Sequence, residues 1–272
     1  MATTGVARNL QAVRAKVAEA VAKSAWKQQC TLVAVSKTKP VEDLQEAYDA
    51  DQRHFGENYV RPIMSVISSL LYIPCAKSLS TVCVHVGYMK SARQIQELVQ
   101  KAPLFPADVQ WHYIGHIQSN KAKTLVRDVP NLFMVETVDS IKIANALDKA
   151  SAEFRDAQLH VLVQVNTSEE EQKSGVAAEE SLEVARHIEA SCANLKLAGL
   201  MTIGRYGDTT SECFDRLVAC RKRIAEALGK SETELALSMG MSSDFELAIA
   251  CGSTYVRVGS TIFGARNYAK QG

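Results

Sequence analysis

Cysteine pairs, nucleotide fingerprints and excess charge are all missing from this sequence. The seven cysteines (Cys30, Cys75, Cys83, Cys192, Cys213, Cys220 and Cys251) form no CxxC and no zinc-like spacing, so neither a disulfide framework nor a metal module is expected. Their odd number and scatter suit a reducing compartment, and a cytoplasmic location is expected. A formal net charge of +1 leaves no electrostatic footprint for nucleic acid or an anionic membrane, and neither is expected as a partner. No GxGxxG follows a candidate strand, and no Ser-His-Asp order or nucleophile elbow occurs. The first residues lack the apolar stretch of a secretory signal. Residues Arg8 to Ala25, with Glu19 as their single acid, also fit a mitochondrial presequence. Leu10, Val13, Val17 and Val21 nevertheless recur at helical spacing, and an amphipathic helix is preferred.

What is present is a long alternation of short apolar runs with helical segments. With 272 residues, 47% of them hydrophobic, the chain can bury one large core. Candidate strands are Leu32–Lys37, Arg53–Tyr59, Val109–Gly115, Leu132–Thr137, His160–Asn166, Leu197–Thr202, Leu235–Met239 and Tyr255–Gly259. Helices are expected over Val41–Asp51, Ile95–Lys101, Asn120–Arg127, Ser140–Phe154, Ala178–Ala190, Ser211–Leu228 and Asp244–Cys251, with another starting near Thr261. About eight strands alternating with helices predict a single (β/α)₈ TIM-type barrel, α/β in class, with an extra N-terminal helix. A doubly wound open sheet is the rival.

The chain is organised around Val33-Ala34-Val35-Ser36-Lys37-Thr38-Lys39-Pro40, a β-branched strand that reaches a lysine and breaks at a proline. An amine at that strand end is either a solvated terminus or a partly desolvated nucleophile for an aldehyde. Barrel sites lie at the carboxyl ends of strands, which here carry Lys37, Asn58, His116, Thr137, Asn166, Thr202, Ser242 and Gly259-Ser260-Thr261. Val258-Gly259-Ser260-Thr261 opening a helix, with Ser242 from the preceding loop, makes a nest of N–H and O–H donors for a phosphate; plain helix capping would explain either serine singly. Arg257 shares a face with Gly259, so its guanidinium needs a partner, either a cofactor ring nitrogen or a carboxylate such as Glu57. His112 and His116 lack a third metal ligand, so polar lining or packing suits them better. Lysine amine, phosphate nest and arginine together point to pyridoxal phosphate.

At these residues the chain resembles the pyridoxal-phosphate homeostasis proteins, a family related to the amino-terminal barrel of alanine racemase. The resemblance runs through Ala34–Pro40, Phe55-Gly56-Glu57-Asn58-Tyr59, Trp111–Gln118, Gly199–Ile203, Ser238–Ser242 and Arg257–Gly264. It implies pyridoxal 5'-phosphate held covalently on Lys37 as an internal aldimine, with Arg257 facing the pyridine nitrogen. Ser242, Gly259, Ser260 and Thr261 would hold the phosphate, and Asn58, His112, Met201 and Met239 would line the ring pocket. Racemases that resemble this barrel add a carboxy-terminal β domain. This sequence ends soon after Tyr268 without one, and a catalytic reading lacks its second proton-transfer group.

The departure from the family is the acid-free stretch from Arg61 to about Ile95, inserted before Gln96-Glu97-Leu98. Pro74, Lys77 and His85 argue against a membrane span there. A translated intron is the preferred explanation, and a real lid or partner-binding loop the alternative. The whole implies one domain over residues 1–272 that buffers pyridoxal phosphate and supplies it to apo-enzymes as a monomer or weak dimer. A pyridoxal-dependent amino-acid racemase and a phosphate-binding barrel without the cofactor are the alternatives.

Overall fold

Apolar strands that alternate with amphipathic helices can hide both faces of a parallel sheet only if helices cover the outside and the sheet closes on itself. The computed structural model of the protein describes residues 5–58, 96–170, 173–205 and 207–265, and there the chain does this. The elements run α1 (Gly5–Lys23), β1 (Thr31–Val35), α2 (Val41–Asp49), β2 (His54–Glu57), α3 (Gln96–Lys101), β3 (Gln110–Tyr113), α4 (Ala122–Asp128), β4 (Leu132–Val138) and α5 (Ile141–Phe154). They continue with β5 (Leu159–Gln164), α6 (Ser181–Ser191), β6 (Leu195–Met201), α7 (Glu212–Leu228), β7 (Ala236–Ser238), α8 (Phe245–Ala250), β8 (Tyr255–Val258) and α9 (Ser260–Phe263). The eight strands pair in chain order as a closed parallel barrel, with β8 returning to β1. The open-sheet alternative is thereby removed. The expected insertion, about 61–95, and Tyr268 lie outside the described residues.

The expected strands all appear but most are shorter, because the polar residue at each carboxyl end leaves the ladder for a loop. Lys37 is two residues beyond β1, in a turn where Thr38 takes a left-handed φ of 64°. His112 lies within β3, whereas His116 lies three residues past it. The helix expected over 178–190 starts later, at Ser181.

Two cores result. The outer one fills the layer between barrel and helices: Leu10, Val13 and Val17 of α1 join Ala34, Phe55, Trp111 and Val256 there. Helix α1 packs against α8, α9 and α2, which are the helices flanking the β8–β1 seam. The inner core is only partly apolar, with Met134, Leu162 and Met201 beside Phe133 and Tyr255. The remainder of the interior is polar and charged, and this is what positions the site.

Gly199 marks the tightest packing in the sheet. It lies at a register shift between β5 and β6, has φ 150°, and a Cβ there would fall 2.0 Å from the carbonyl oxygen of Ala236 on β7. Backbone on a paired strand cannot yield to it. Gly199→Ala is expected to remove at least about 3 kcal/mol of stability, measured by urea denaturation, while Gly207→Ala, which meets nothing within 4 Å and bears only the strain of its left-handed φ of 74°, costs less.

Candidate functional site

The carboxyl ends of the strands surround a cleft of about 360 Å³, a size suited to one small molecule. Its wall is built from Val35 at the end of β1 with Lys37 and Lys39 beyond it, Asn58 after β2, Ile114 after β3, Met201 at the end of β6 with Ile203, Arg205 and Gly207 beyond it, Met241 to Asp244 after β7, and Arg257, Gly259, Ser260 and Gly264 at and after β8. Four cationic side chains and one carboxylate, Asp244, border it, which favours an anionic ligand.

The lysine turn is clamped from beneath. Ser36 is fully buried and its hydroxyl donates to Glu57 Oε1 at 2.7 Å. The buried Lys101 ammonium, on α3, donates to the same oxygen at 2.9 Å, to the Ser36 carbonyl at 3.0 Å and to Glu97 Oε1 at 2.6 Å. Glu97 Oε1 also accepts the Thr38 N–H at 2.9 Å. The residues on either side of Lys37 are thus tied to one buried charge cluster. Burial pushes the Glu57 carboxyl above its ordinary range, with Lys101 pulling the other way. Two residues on, Lys39 Nζ crosses the seam and donates to the carbonyls of Phe263, Gly264 and Ala265 at 2.6, 3.1 and 3.0 Å. An ammonium over carbonyls at a helix end is well placed electrostatically.

Opposite the lysine, Gly259 and Ser242 form a second feature. A Cβ on Gly259 would come within 3.2 Å of the Val35 carbonyl, so glycine lets the last loop lie close against β1. The Gly259 N–H donates to Ser242 Oγ at 3.2 Å, which leaves the hydroxyl proton of Ser242 able to point into the cleft. Ser260 and Thr261 open α9, and the first N–H groups of a helix have no acceptor within it.

The floor carries Arg257. Its Nη1 donates to Ser238 Oγ at 2.7 Å and its Nη2 to the Thr202 carbonyl at 2.7 Å. Ser238 Oγ donates in turn to Glu136 Oε2 at 2.6 Å, and Glu136 Oε1 accepts from His112 Nδ1 at 2.7 Å. His112 Nε2 meets His54 Nδ1 at 2.9 Å, near the amino end of the barrel. Of the two partners left open for Arg257, the carboxylate is not Glu57, which is held by Lys101, but Glu136, 4.0 Å away across the serine. Burial raises the Glu136 carboxyl, but the His112 hydrogen bond and charge, the Arg257 charge and Ser238 outweigh it, so its pKa lies below the ordinary value. Burial pulls the Arg257 pKa down, with Glu136 and Asp244 offsetting part of that, and a guanidinium stays protonated in any case.

Seven of the expected site residues, Lys37, Asn58, Met201, Ser242, Arg257, Gly259 and Ser260, line this one cleft. Three do not. His112 is fully buried beneath it, Met239 packs into the outer core, and Thr261 is exposed on α9. The other polar strand ends hold loops: Thr137 bonds the Gly115 carbonyl, Thr202 pairs with Thr167, Asn166 donates to Glu170 and His116 contacts Asp139. Glu136, Ser238, Lys101, Glu97 and Arg205 were not anticipated. Glu136 had a readable signal, an acid inside an otherwise apolar strand on the face of Met134. Lys101 had none. Among the described residues no cluster of three His, Cys, Asp or Glu could hold a metal ion, and no helix is long and apolar enough to cross a membrane.

A family model described as the alanine racemase N-terminal domain matches residues 8–267. The pyridoxal phosphate homeostasis protein of Mus musculus is 39% identical, over 99% of this chain and 90% of its own length. Its Schizosaccharomyces pombe counterpart is 41% identical over 86% of this chain and 84% of its own. The chain belongs to the pyridoxal phosphate homeostasis protein family. Among solved structures, PipY of Synechococcus elongatus PCC7942 with PLP bound superposes with a TM-score of 0.65 at 27% identity, covering 95% of this chain and all of that one. An alanine racemase of Clostridium difficile shares the fold, with a TM-score of 0.62 at 13% identity over 95% of this chain and 60% of its own.

Two outcomes follow from the buried charges. Lys101→Met leaves two carboxylates and a carbonyl facing one another under the lysine turn, and is expected to cost about 3–5 kcal/mol by urea denaturation. Adding Glu57→Gln to it should recover part of the loss. His54 is held neutral, first by burial and then by His112, with its pKa lowered to about 4. In the unfolded chain a histidine titrates near ~6.5, so between those values the unfolded state binds the extra proton. The stability that neutral His54 provides is therefore complete above the unfolded value and lost as pH falls toward 4. The melting temperature of His54→Asn should fall less steeply over that interval than that of the wild type.

Proposed function

We propose that the cleft binds pyridoxal 5'-phosphate covalently through Lys37 and that the protein serves intracellular pyridoxal-phosphate homeostasis, holding the cofactor and supplying it to apo-enzymes without catalytic turnover. The observation that carries this is the convergence of Lys37, Arg257 and the Gly259–Ser260 donors on one cleft. The residues fit the group in three respects. A phosphate finds N–H donors at the start of α9 and the Ser242 hydroxyl, at a loop that glycine allows to approach β1. A ring nitrogen finds a guanidinium that is fixed from below and faces the cleft. An aldehyde finds the Lys37 amine, with which it joins with loss of one water.

The cofactor supplies an electrophilic carbon and a conjugated ring when bound. This chain's own residues bind and orient it. The permanent charge of Arg257 disfavours a proton on a facing ring nitrogen, which weakens electron withdrawal from the amine side. Storage of a reactive aldehyde calls for that combination, a grip at both ends and little activation in the middle. The names of the homologous proteins and the PLP-bound PipY structure support the same reading.

Borohydride reduction of the protein with added pyridoxal phosphate, followed by peptide mapping, tests it. The wild type should carry a stable label on the peptide containing Lys37, and Lys37→Ala should show neither label nor visible absorbance band. Undiminished specific labelling of Lys37→Ala would overturn the assignment. Exchange of solvent deuterium into the α-carbon of amino acids, paced by the protein, would establish turnover in place of storage.

A further inference from the structure

Glu136, Ser238, His112 and His54 do not themselves line the cleft, yet they form one continuous hydrogen-bonded chain that ends on Arg257, which does. Glu136, Ser238 and His112 are wholly inaccessible to solvent. Burying a carboxylate and an imidazole inside a barrel is expensive compared with filling it with leucine, so the arrangement needs a reason beyond packing.

We infer that Glu136 is a positioning residue for ligand recognition: through the Ser238 hydroxyl it fixes the orientation and balances the charge of the Arg257 guanidinium at the cleft floor. The inference rests on the pyridoxal-phosphate reading only for the identity of the group that the guanidinium meets.

The direction of the chain carries the argument. An ionised carboxylate only accepts hydrogen bonds, so the Ser238 proton must point at Glu136 Oε2 and the His112 Nδ1 proton at Oε1. That orders the serine: its lone pairs face Arg257 Nη1, which donates to it at 2.7 Å. A direct bidentate pair between Arg257 and Glu136 would turn the guanidinium fork down into the barrel. With the hydroxyl interposed, the opposite charge lies 4.0 Å off, near enough to offset burial, while the guanidinium still faces upward. His112 holds the second carboxylate oxygen, and His54, kept neutral by burial, caps the chain. The charges that act on the guanidinium are those of Glu136 on β4 and Asp244 at the rim; His112 on β3 and His54 on β2 lie behind Glu136, Tyr255 on β8 packs against His112, and Lys37, Lys39 and Arg205 share the cleft.

Glu136→Gln keeps the volume but removes the charge, and its amide N–H can reverse the serine hydroxyl against Arg257. Ser238→Ala keeps the charge and removes the link. Both are purified, checked for folding by circular dichroism, and titrated with pyridoxal phosphate. Each should bind at least about tenfold more weakly. In Glu136→Gln the interior gains one positive charge, so the protonated, cationic adduct on Lys37 is disfavoured and the pH midpoint of its absorbance band should fall by about one unit. In Ser238→Ala the midpoint should stay near that of the wild type, a separation that general loosening does not produce. Should Glu136→Gln fail to fold, affinity and guanidinium exchange in Ser238→Ala decide. Folded variants with wild-type affinity and midpoint overturn the proposal.

A cofactor-free measurement separates this proposal from the one beneath it. Solvent exchange of the Arg257 guanidinium protons, followed by NMR, should be slow in the wild type and at least about tenfold faster in both variants. If the wild type forms no adduct but this acceleration is seen, the pyridoxal-phosphate reading falls and the positioning role stands. Unchanged exchange in both variants removes the positioning role whatever the ligand.

Discussion

The pairing of the first strand with the last is the constraint on which the site depends. Parallel registration of β1 on β8 sets Val33 beside Arg257 and Ala34 beside Val258. From there the two chains leave the sheet side by side, one into the Lys37 turn and the other into Gly259. The Lys37 turn and the Gly259 loop, from opposite ends of the sequence, are brought together by backbone hydrogen bonds, before any side chain acts. Lys39 reinforces the junction by reaching across it to the carbonyls after α9. Glycine at 259 lets the two loops lie this close without displacing Val35.

Beneath that junction the molecule uses buried charge in two separate clusters, each with a distinct task. Under the lysine turn, one ammonium serves two carboxylates and a carbonyl, and holds the backbone on both sides of Lys37. Inside the barrel, one carboxylate serves an imidazole and a serine, and holds a guanidinium. Neither cluster is economical as a source of stability, since apolar residues of equal volume would do as well. Both make sense as devices that restrict where a functional side chain can be.

The barrel was legible because parallel strands buried on both faces read as short apolar runs with polar carboxyl ends, Leu159–Gln164 most plainly. Lys37, Arg257 and Gly259 were legible because a lysine after a β-branched run and a Gly-Ser-Thr before a helix have local chemistry of their own. Lys101 has no such mark: it looks like any lysine in the last turn of a helix, and only the barrel carries it to the Ser36 carbonyl. Met239 was expected at the ring only through the family resemblance, and the fold turns it toward the helices. Of the two partners left open for Arg257, the carboxylate offered as an example was Glu57, whereas the one that faces it is Glu136. Glu57 and Glu136 both face buried cations, and sequence distance does not say which.

The seam has a kinetic side as well. Contacts between neighbouring strands form over short stretches of chain, whereas β1 and β8 are separated by nearly its whole length. Closing so long a loop is entropically costly, so this pairing belongs late in folding. The cleft does not exist until that last step is complete. A ligand held there binds the closed barrel and not its open precursors, and so draws the folding equilibrium toward closure by mass action. A ligand of the cleft would thus act as a latch on the closed barrel.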